Sequence, residues 1–223
     1  MKTVLIILSA GRCGSTNIIN RLNQEKNINI YGESFGALPD LVRSAYRFNL
    51  YNKRFIETNA KRKLKSQIAA FSPIEIASQL NKTSPYIGNE YYNDHEVIKN
   101  ILDTLNNSIV NFFKREESVV GFKEIVWGQY SNLNFLNYLE TLHLGKVKYL
   151  KLTRDIDEQS HSMSKNFKEN GGISFQKSFE TITKCNENID SFLQSKNSKK
   201  KYECNYVSNS ELYYKNILEW IKN

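Results

Sequence analysis

The chain has few of the residues that staple or coordinate: three cysteines and three histidines among 223 residues. Cys13, Cys185 and Cys204 form no even-numbered framework and show no metal-ligand spacing. That excludes a disulfide scaffold and a cysteine-based metal knuckle, and leaves reduced, intracellular thiols as the expectation. No stretch approaches the roughly 20 apolar residues that a membrane-spanning helix needs. Met1–Leu8 begins like a signal peptide, with Lys2 and a short apolar run. The run is only about six residues, shorter than a secretory hydrophobic region, and it leads directly into a glycine loop. It reads as the first strand of a cytoplasmic protein. Only three prolines occur, Pro39, Pro73 and Pro85, all within residues 38–117.

What is present describes a folded, basic protein. Forty per cent of the residues are hydrophobic and 12% aromatic, which argues against disorder. The length suits one domain, or one domain carrying an elaborate insert. The formal charge of +8 points to an anionic partner: a nucleotide, a sulfated or phosphorylated substrate, nucleic acid or an acidic membrane.

Patterning along the chain alternates strands with helices. Thr3–Leu8 is a continuous apolar, β-branched run of the kind found in central parallel strands. Ser15–Glu25 carries Ile18, Ile19 and Leu22 at helical spacing, and Asn27–Tyr31 forms a second strand ended by Gly32 and Glu33. Residues 38–117 read as mostly helical. Further strands are expected over Val119–Phe122, Lys146–Thr153 and Tyr202–Val207. Helices are expected over Asn134–Leu144, Asp157–Lys168, Phe175–Leu193 and Glu211–Lys222, with a loop at Gly171 and Gly172. This order predicts a single α/β domain: a P-loop-like, doubly wound sheet of about five mainly parallel strands flanked by helices, with a helical insert. Ligands of such sheets sit at the carboxyl ends of the strands. Glu33, Lys123, Arg154 and the glycine loop are all expected there.

The loop Ser9–Thr16 reads Ser-Ala-Gly-Arg-Cys-Gly-Ser-Thr. A loop feeding a helix N-terminus offers unpaired N–H groups and the positive end of the helix dipole. Gly11 and Gly14 allow a tight turn and close approach to an anion. Arg12 adds charge, and Ser15 and Thr16 add hydroxyls. The loop is not the Gly-x-x-x-x-Gly-Lys-[Ser/Thr] of ordinary nucleotide triphosphatases, because Ser15 follows Gly14 and the basic residue comes before the glycine. Nor does an apolar strand end in a magnesium-binding Asp; the fourth strand ends in Thr153 and Arg154. Both features argue against an ordinary kinase or ATPase.

Arg12-Cys13-Gly14-Ser15-Thr16 after a first strand resembles the 5′-phosphosulfate loop of sulfotransferases, commonly [Lys/Arg]-Ser-Gly-[Ser/Thr]-[Ser/Thr], with Cys13 in place of the usual Ser. In that family an Arg ending a strand and a Ser eight positions later bind the 3′-phosphate of the cofactor, and Arg154 and Ser162 match that spacing. The usual Arg-[Asp/Asn]-Pro has become Arg154-Asp155-Ile156. Gly121-Phe122-Lys123 resembles a Gly-x-Lys strand end of several bacterial and Golgi-type members, and Tyr202–Val207 with Ser210–Ile221 falls where the family has a late strand and closing helix. The similarity is closer to carbohydrate-type and bacterial members than to the cytosolic type.

The resemblance implies a donor, 3′-phosphoadenosine 5′-phosphosulfate (PAPS), a product, 3′-phosphoadenosine 5′-phosphate (PAP), and no metal. Arg12, Cys13, Gly14, Ser15, Thr16, Arg154 and Ser162 would bind the nucleotide. Arg12 would also meet the leaving phosphate, Lys123 the sulfonate, and Glu33 would take the acceptor's proton. Glu33 is placed for this on the expectation that its strand neighbours the first. His95, His143 and His161 are rivals for the base, and Glu124 could pair with Lys123 or touch substrate. The acceptor would be a hydroxyl or amine of a glycan or small metabolite.

Arg43–Lys65 mixes eight basic residues, Arg43, Arg47, Lys53, Arg54, Lys61, Arg62, Lys63 and Lys65, with Tyr46, Phe48, Tyr51 and Phe55. A solvated helix face with a buried aromatic stripe explains this most simply. The functional alternative is a wall shaping the acceptor site; a nucleic-acid surface is the lesser one. Two rival functions stand beside the sulfotransferase: a P-loop kinase-like phosphotransferase, and a non-catalytic anion-binding or nucleic-acid-binding protein.

Overall fold

The computed structural model describes residues 2–34, 36–68, 94–167, 172–206 and 211–223, without the side chains of 54–68, 94, 95 and 167. The expectations for Pro73, Pro85, Gly171, Val207 and Ser210, and for the side chains of His95, Arg54, Phe55, Lys61, Arg62, Lys63 and Lys65, lie outside the described residues.

Five parallel strands form one sheet: β1 (Thr3–Ser9), β2 (Ile28–Tyr31), β3 (Val119–Glu124), β4 (Lys146–Thr153) and β5 (Lys201–Asn205). Their order is β2-β3-β1-β4-β5. Burial follows position. Every residue of β1 and of β3 is buried, as expected of interior strands covered on both faces. β2 alternates buried and half-buried residues and β5 is mostly open, as edge strands can be. This corrects the expected neighbourhood of Glu33. Its strand does not border β1, because the continuous apolar run of β3 takes the interior place between them. Gly121 permits that packing, since a Cβ there would fall 2.1 Å from the Leu5 carbonyl oxygen.

The helices are α1 (Ser15–Leu22), α2 (Ala37–Ile68), α3 (Asp94–Phe113), α4 (Tyr138–Thr141), α5 (Ile156–Phe167), α6 (Phe175–Gln194) and α7 (Glu211–Lys222). Pro39 begins no break, because it lies in the first turn of α2, where its missing N–H costs nothing. The helix expected over Asn134–Leu144 is instead a 3-10 turn, Asn134–Asn137, followed by the single turn of α4. The Asn132 side chain accepts from the Asn134 amide and Leu136 N–H bonds to Leu133 O, so local i-to-i+3 bonding prevails there.

The chain divides into two compact units. The first, Met1–Val42 with Ile109–Asn223, holds the sheet. Its core joins Leu5 and Ile7 of β1, Ile18, Ile19 and Leu22 of α1, Leu150 and Leu152 of β4, and Ile217 and Ile221 of α7. The second, Arg43–Ser108, takes in most of α2 and α3.

Candidate active site

β1 delivers its chain directly into the glycine loop. Gly14, at φ 80° and ψ 9°, caps α1; no side chain caps the helix and its first turn carries no acid. Amides of Asn17 and Ile18 bond back to Gly14 O, at 3.1 and 3.4 Å. Arg12 also adopts a left-handed conformation, at φ 70°, which is costly for any residue with a Cβ. The result is a turn rimmed by N–H groups, a guanidinium and hydroxyls, a donor set suited to an anion. Cys13 has no exposed surface and packs in the core with Leu150 and Cys204, so it faces a ligand only through its backbone. Ser15 is buried and Thr16 exposed.

α5 holds this loop by two bonds. Gln159 donates to Gly11 O at 2.6 Å from a fully buried position, and Arg12 Nε donates to Ser162 Oγ at 3.2 Å. Arg154 stands between β4 and α5. Its guanidinium binds Glu158 at 3.0 Å, within the first turn of the helix. Ser162 is thus joined to Arg12, and Arg154 is joined to Glu158. On the other side of the loop, the Tyr206 ring lies against Gly14, and Asn17 Nδ2 reaches Tyr206 OH at 3.4 Å.

A second group lies at the carboxyl end of β3. Lys123, only 3% exposed, forms an ion pair with Glu33, whose side chain is about one-third exposed. So Glu33 reaches the site through Lys123, across β3. Glu124 neither pairs with Lys123 nor faces solvent. Completely buried, its carboxylate accepts from Ser34 N (3.1 Å), Ser34 Oγ (2.9 Å), Gly36 N (3.0 Å) and Ile125 N (3.1 Å). Ser34 Oγ in turn accepts from Leu38 N at 3.1 Å, capping the start of α2. Glu124 therefore fixes the turn that carries Glu33.

The histidines separate. His143 precedes β4, at the far end of a strand about 23 Å long, and so has no place beside the loop. His161 is exposed on α5 with its ring 4.5 Å from that of Phe175. Burial pushes the Cys185 thiol up to about 12 and raises that of Cys204, so neither is a thiolate nucleophile at neutral pH. A groove of about 670 Å³ opens at the amino end of β4, lined by Lys146, Lys148 and Trp220, at the opposite end of that strand from Arg154. Among the described residues no cluster of His, Cys, Asp and Glu could hold a metal ion, and no helix is long and apolar enough to cross a membrane.

Gln159, Tyr206 and the capping role of Glu124 were not read from the sequence. Gln159 carries the one available signal, lying a helical turn before Met163 on the face of α5 that meets Gly11. Nothing local marks Tyr206.

No protein-family model matches the chain, and no curated protein matches it in sequence. Solved structures do match in fold. The sulfotransferase domain from the curacin biosynthetic pathway superposes with a TM-score of 0.55 at 15% identity, covering 100% of this chain and 74% of its own. The sulfotransferase domain of the Synechococcus PCC 7002 olefin synthase gives 0.53 at 14%, covering 99% and 73%. A sulfotransferase from Alicyclobacillus acidocaldarius gives 0.54 at 10%, covering 100% and 81%. A parallel P-loop-like α/β sheet is thus what the sequence led one to expect, and the chain has the fold of these sulfotransferase domains.

Proposed function

We propose that this protein is a sulfotransferase that uses PAPS and releases PAP. The observation that carries the reading is the Arg12–Ser162 hydrogen bond, which joins the anion loop to the helix that follows Arg154. Two candidate phosphate contacts, separated by 150 positions, share one edge of the sheet. The donor set of the loop fits the nucleotide: an uncapped helix N-terminus without acidic residues, a guanidinium and two hydroxyls.

The donor would supply the sulfuryl group, whose S–O bond to the 5′-phosphate breaks as the acceptor's oxygen or nitrogen bonds to sulfur. Arg12 and the loop amides stabilise the charge that collects on the leaving phosphate. Arg154 and Ser162 hold the 3′-phosphate, in the fork geometry guanidinium groups favour. Glu33 takes the acceptor's proton, with help of about 10²–10⁴-fold typical of a positioned base. Lys123, buried beside it, steadies the carboxylate and offers its charge to the sulfonate. The acceptor is a hydroxyl or amine of a glycan or small metabolite. Three free, buried cysteines suit the reducing cytoplasm.

Calorimetry with PAP, set against ATP–magnesium, tests the reading. PAP binding without metal, followed by transfer from labelled PAPS to a panel of hydroxyl and amine acceptors, is the expected result. Binding of ATP–magnesium alone would overturn it in favour of a phosphotransferase. Glu33→Gln should still bind PAP and lose transfer; retained turnover would remove Glu33 as the base.

A further inference from the structure

Tyr206 follows β5 and has no part in the assignments above. Its amide donates to Thr153 O at 2.7 Å, extending the β4–β5 ladder by one residue. Its ring meets that of Tyr213 edge-on, with centroids 6.3 Å apart and planes at 90°. Fixed on both sides, the ring presses on the phosphate loop. An ideal Cβ built on Gly14 would lie 2.5, 2.6 and 2.7 Å from three of its carbons. The space that any other residue's side chain would need at position 14 is therefore filled by Tyr206.

We infer that Tyr206 is a positioning residue that holds Gly14, and with it the amides of the loop, in the anion-binding conformation. Glycine is the residue with most conformational freedom to lose. At φ 80° Gly14 uses that freedom to enter α1, yet nothing in its own chemistry prevents it from turning elsewhere. The ring removes the alternatives on its side, while Gln159 and Ser162 grip the loop from α5. A cradle ordered in advance spends less of its binding free energy on ordering when the anion arrives. The role belongs to the ring, since the link from its hydroxyl to Asn17 is long, at 3.4 Å.

The Gly14 carbonyl supplies the readout, because the amides of Asn17 and Ile18 both bond to it. Hydrogen exchange at these two amides, on the full chain, is compared among wild type, Tyr206→Ala and Tyr206→Phe. Exchange about tenfold faster in Tyr206→Ala, restored in Tyr206→Phe, is expected from loss of one aromatic contact. PAP affinity should fall by about the same factor in Tyr206→Ala, appearing in KM for the donor more than in kcat. Gly14→Ala should do less damage in the Tyr206→Ala background than alone, because the clash is gone and only the strain at φ 80° remains. Unchanged exchange in Tyr206→Ala would overturn the inference, as would equal losses in Tyr206→Ala and Tyr206→Phe. The identity of the anion rests on the sulfotransferase reading; the clamp does not. If wild type ignores PAP while Tyr206→Ala still speeds exchange, that reading fails and the clamp stands.

Discussion

The Nε of Arg12 donates to Ser162 Oγ at 3.2 Å. The bond holds a guanidinium that no acid neutralises in the first turn of α1, and ties it to the helix behind Arg154. Ser162→Ala frees Arg12 to sample other rotamers without touching the core. PAP affinity should fall by roughly tenfold or more, since the variant loses both this bond and the hydroxyl's proposed contact with the 3′-phosphate, and thermal stability should hold. Calorimetry with PAP, beside a thermal melt, checks both. Unchanged affinity would reduce the bond to a surface contact.

Arg12 carries its charge on a strained backbone, φ 70°. A left-handed residue with a Cβ costs about 1–2 kcal/mol. Arg12→Ala and Arg12→Gly both remove the guanidinium, but only the second removes the strain. Both should lose transfer, and the glycine variant should be the more stable by about 1 kcal/mol, or about 2–4 °C at this chain length. Equal melting temperatures would mean that the loop carries no strain worth relieving.

Glu124 is buried with four donors around one carboxylate. Glu124→Gln keeps the shape but turns an NH2 toward at least one of those donors. The cost should be on the order of 3 kcal/mol, the sum of a weakened charge-assisted bond and a buried donor left unpaired. Ser34→Ala, which removes one bond to Glu124 and the cap of α2, should cost about 1 kcal/mol. Urea unfolding of the three proteins orders them. Since the same turn carries Glu33, transfer in Glu124→Gln should fall further than the fraction folded does. A variant as stable as wild type would show that Glu124 does not organise this turn.

What could be read from the sequence follows from where its signals are stored. The continuous apolar run of Thr3–Leu8, the glycine loop and the helical spacing after it are local, and they predicted β1 within one residue and the start of α1 at Ser15, though the helix ends at Leu22, three residues before the expected Glu25. Arg154 and Ser162 are eight positions apart on one helix entry, so their placement near one edge was also local. The sheet order was not. Whether β2 or β3 borders β1 depends on which strand is apolar on both faces, and the contrast between Ile28–Tyr31 and Val119–Glu124 shows this only when the two are compared. Tyr206 meets Gly14 across nearly the whole chain, and Glu124 meets Ser34 across 90 positions. No periodicity records such contacts.

Acid stability offers a test away from the site. Glu140 accepts from Lys196 at 2.5 Å through one oxygen, pairs with Lys200 through the other, and also receives the Tyr149 hydroxyl at 3.2 Å. Burial alone would raise its pKa, but the hydrogen bonds and charges of Lys196 and Lys200 outweigh burial and hold it below the ordinary 4.5. A carboxylate depressed in the folded state binds protons more weakly there than in the unfolded chain. Its stabilisation is therefore complete above the unfolded value of 4.5 and is lost as pH falls through the folded value. Glu140→Gln should be less stable than wild type at neutral pH, where the ion pairs are missing. The gap should narrow as the pH is lowered below about 4.5, because wild type alone then loses this contribution. Melting temperatures of the two proteins, measured in parallel from neutral to acid pH, give the difference directly and cancel the other carboxylates. A gap that stays constant or widens toward acid would show that Glu140 is not held ionised by its two lysines.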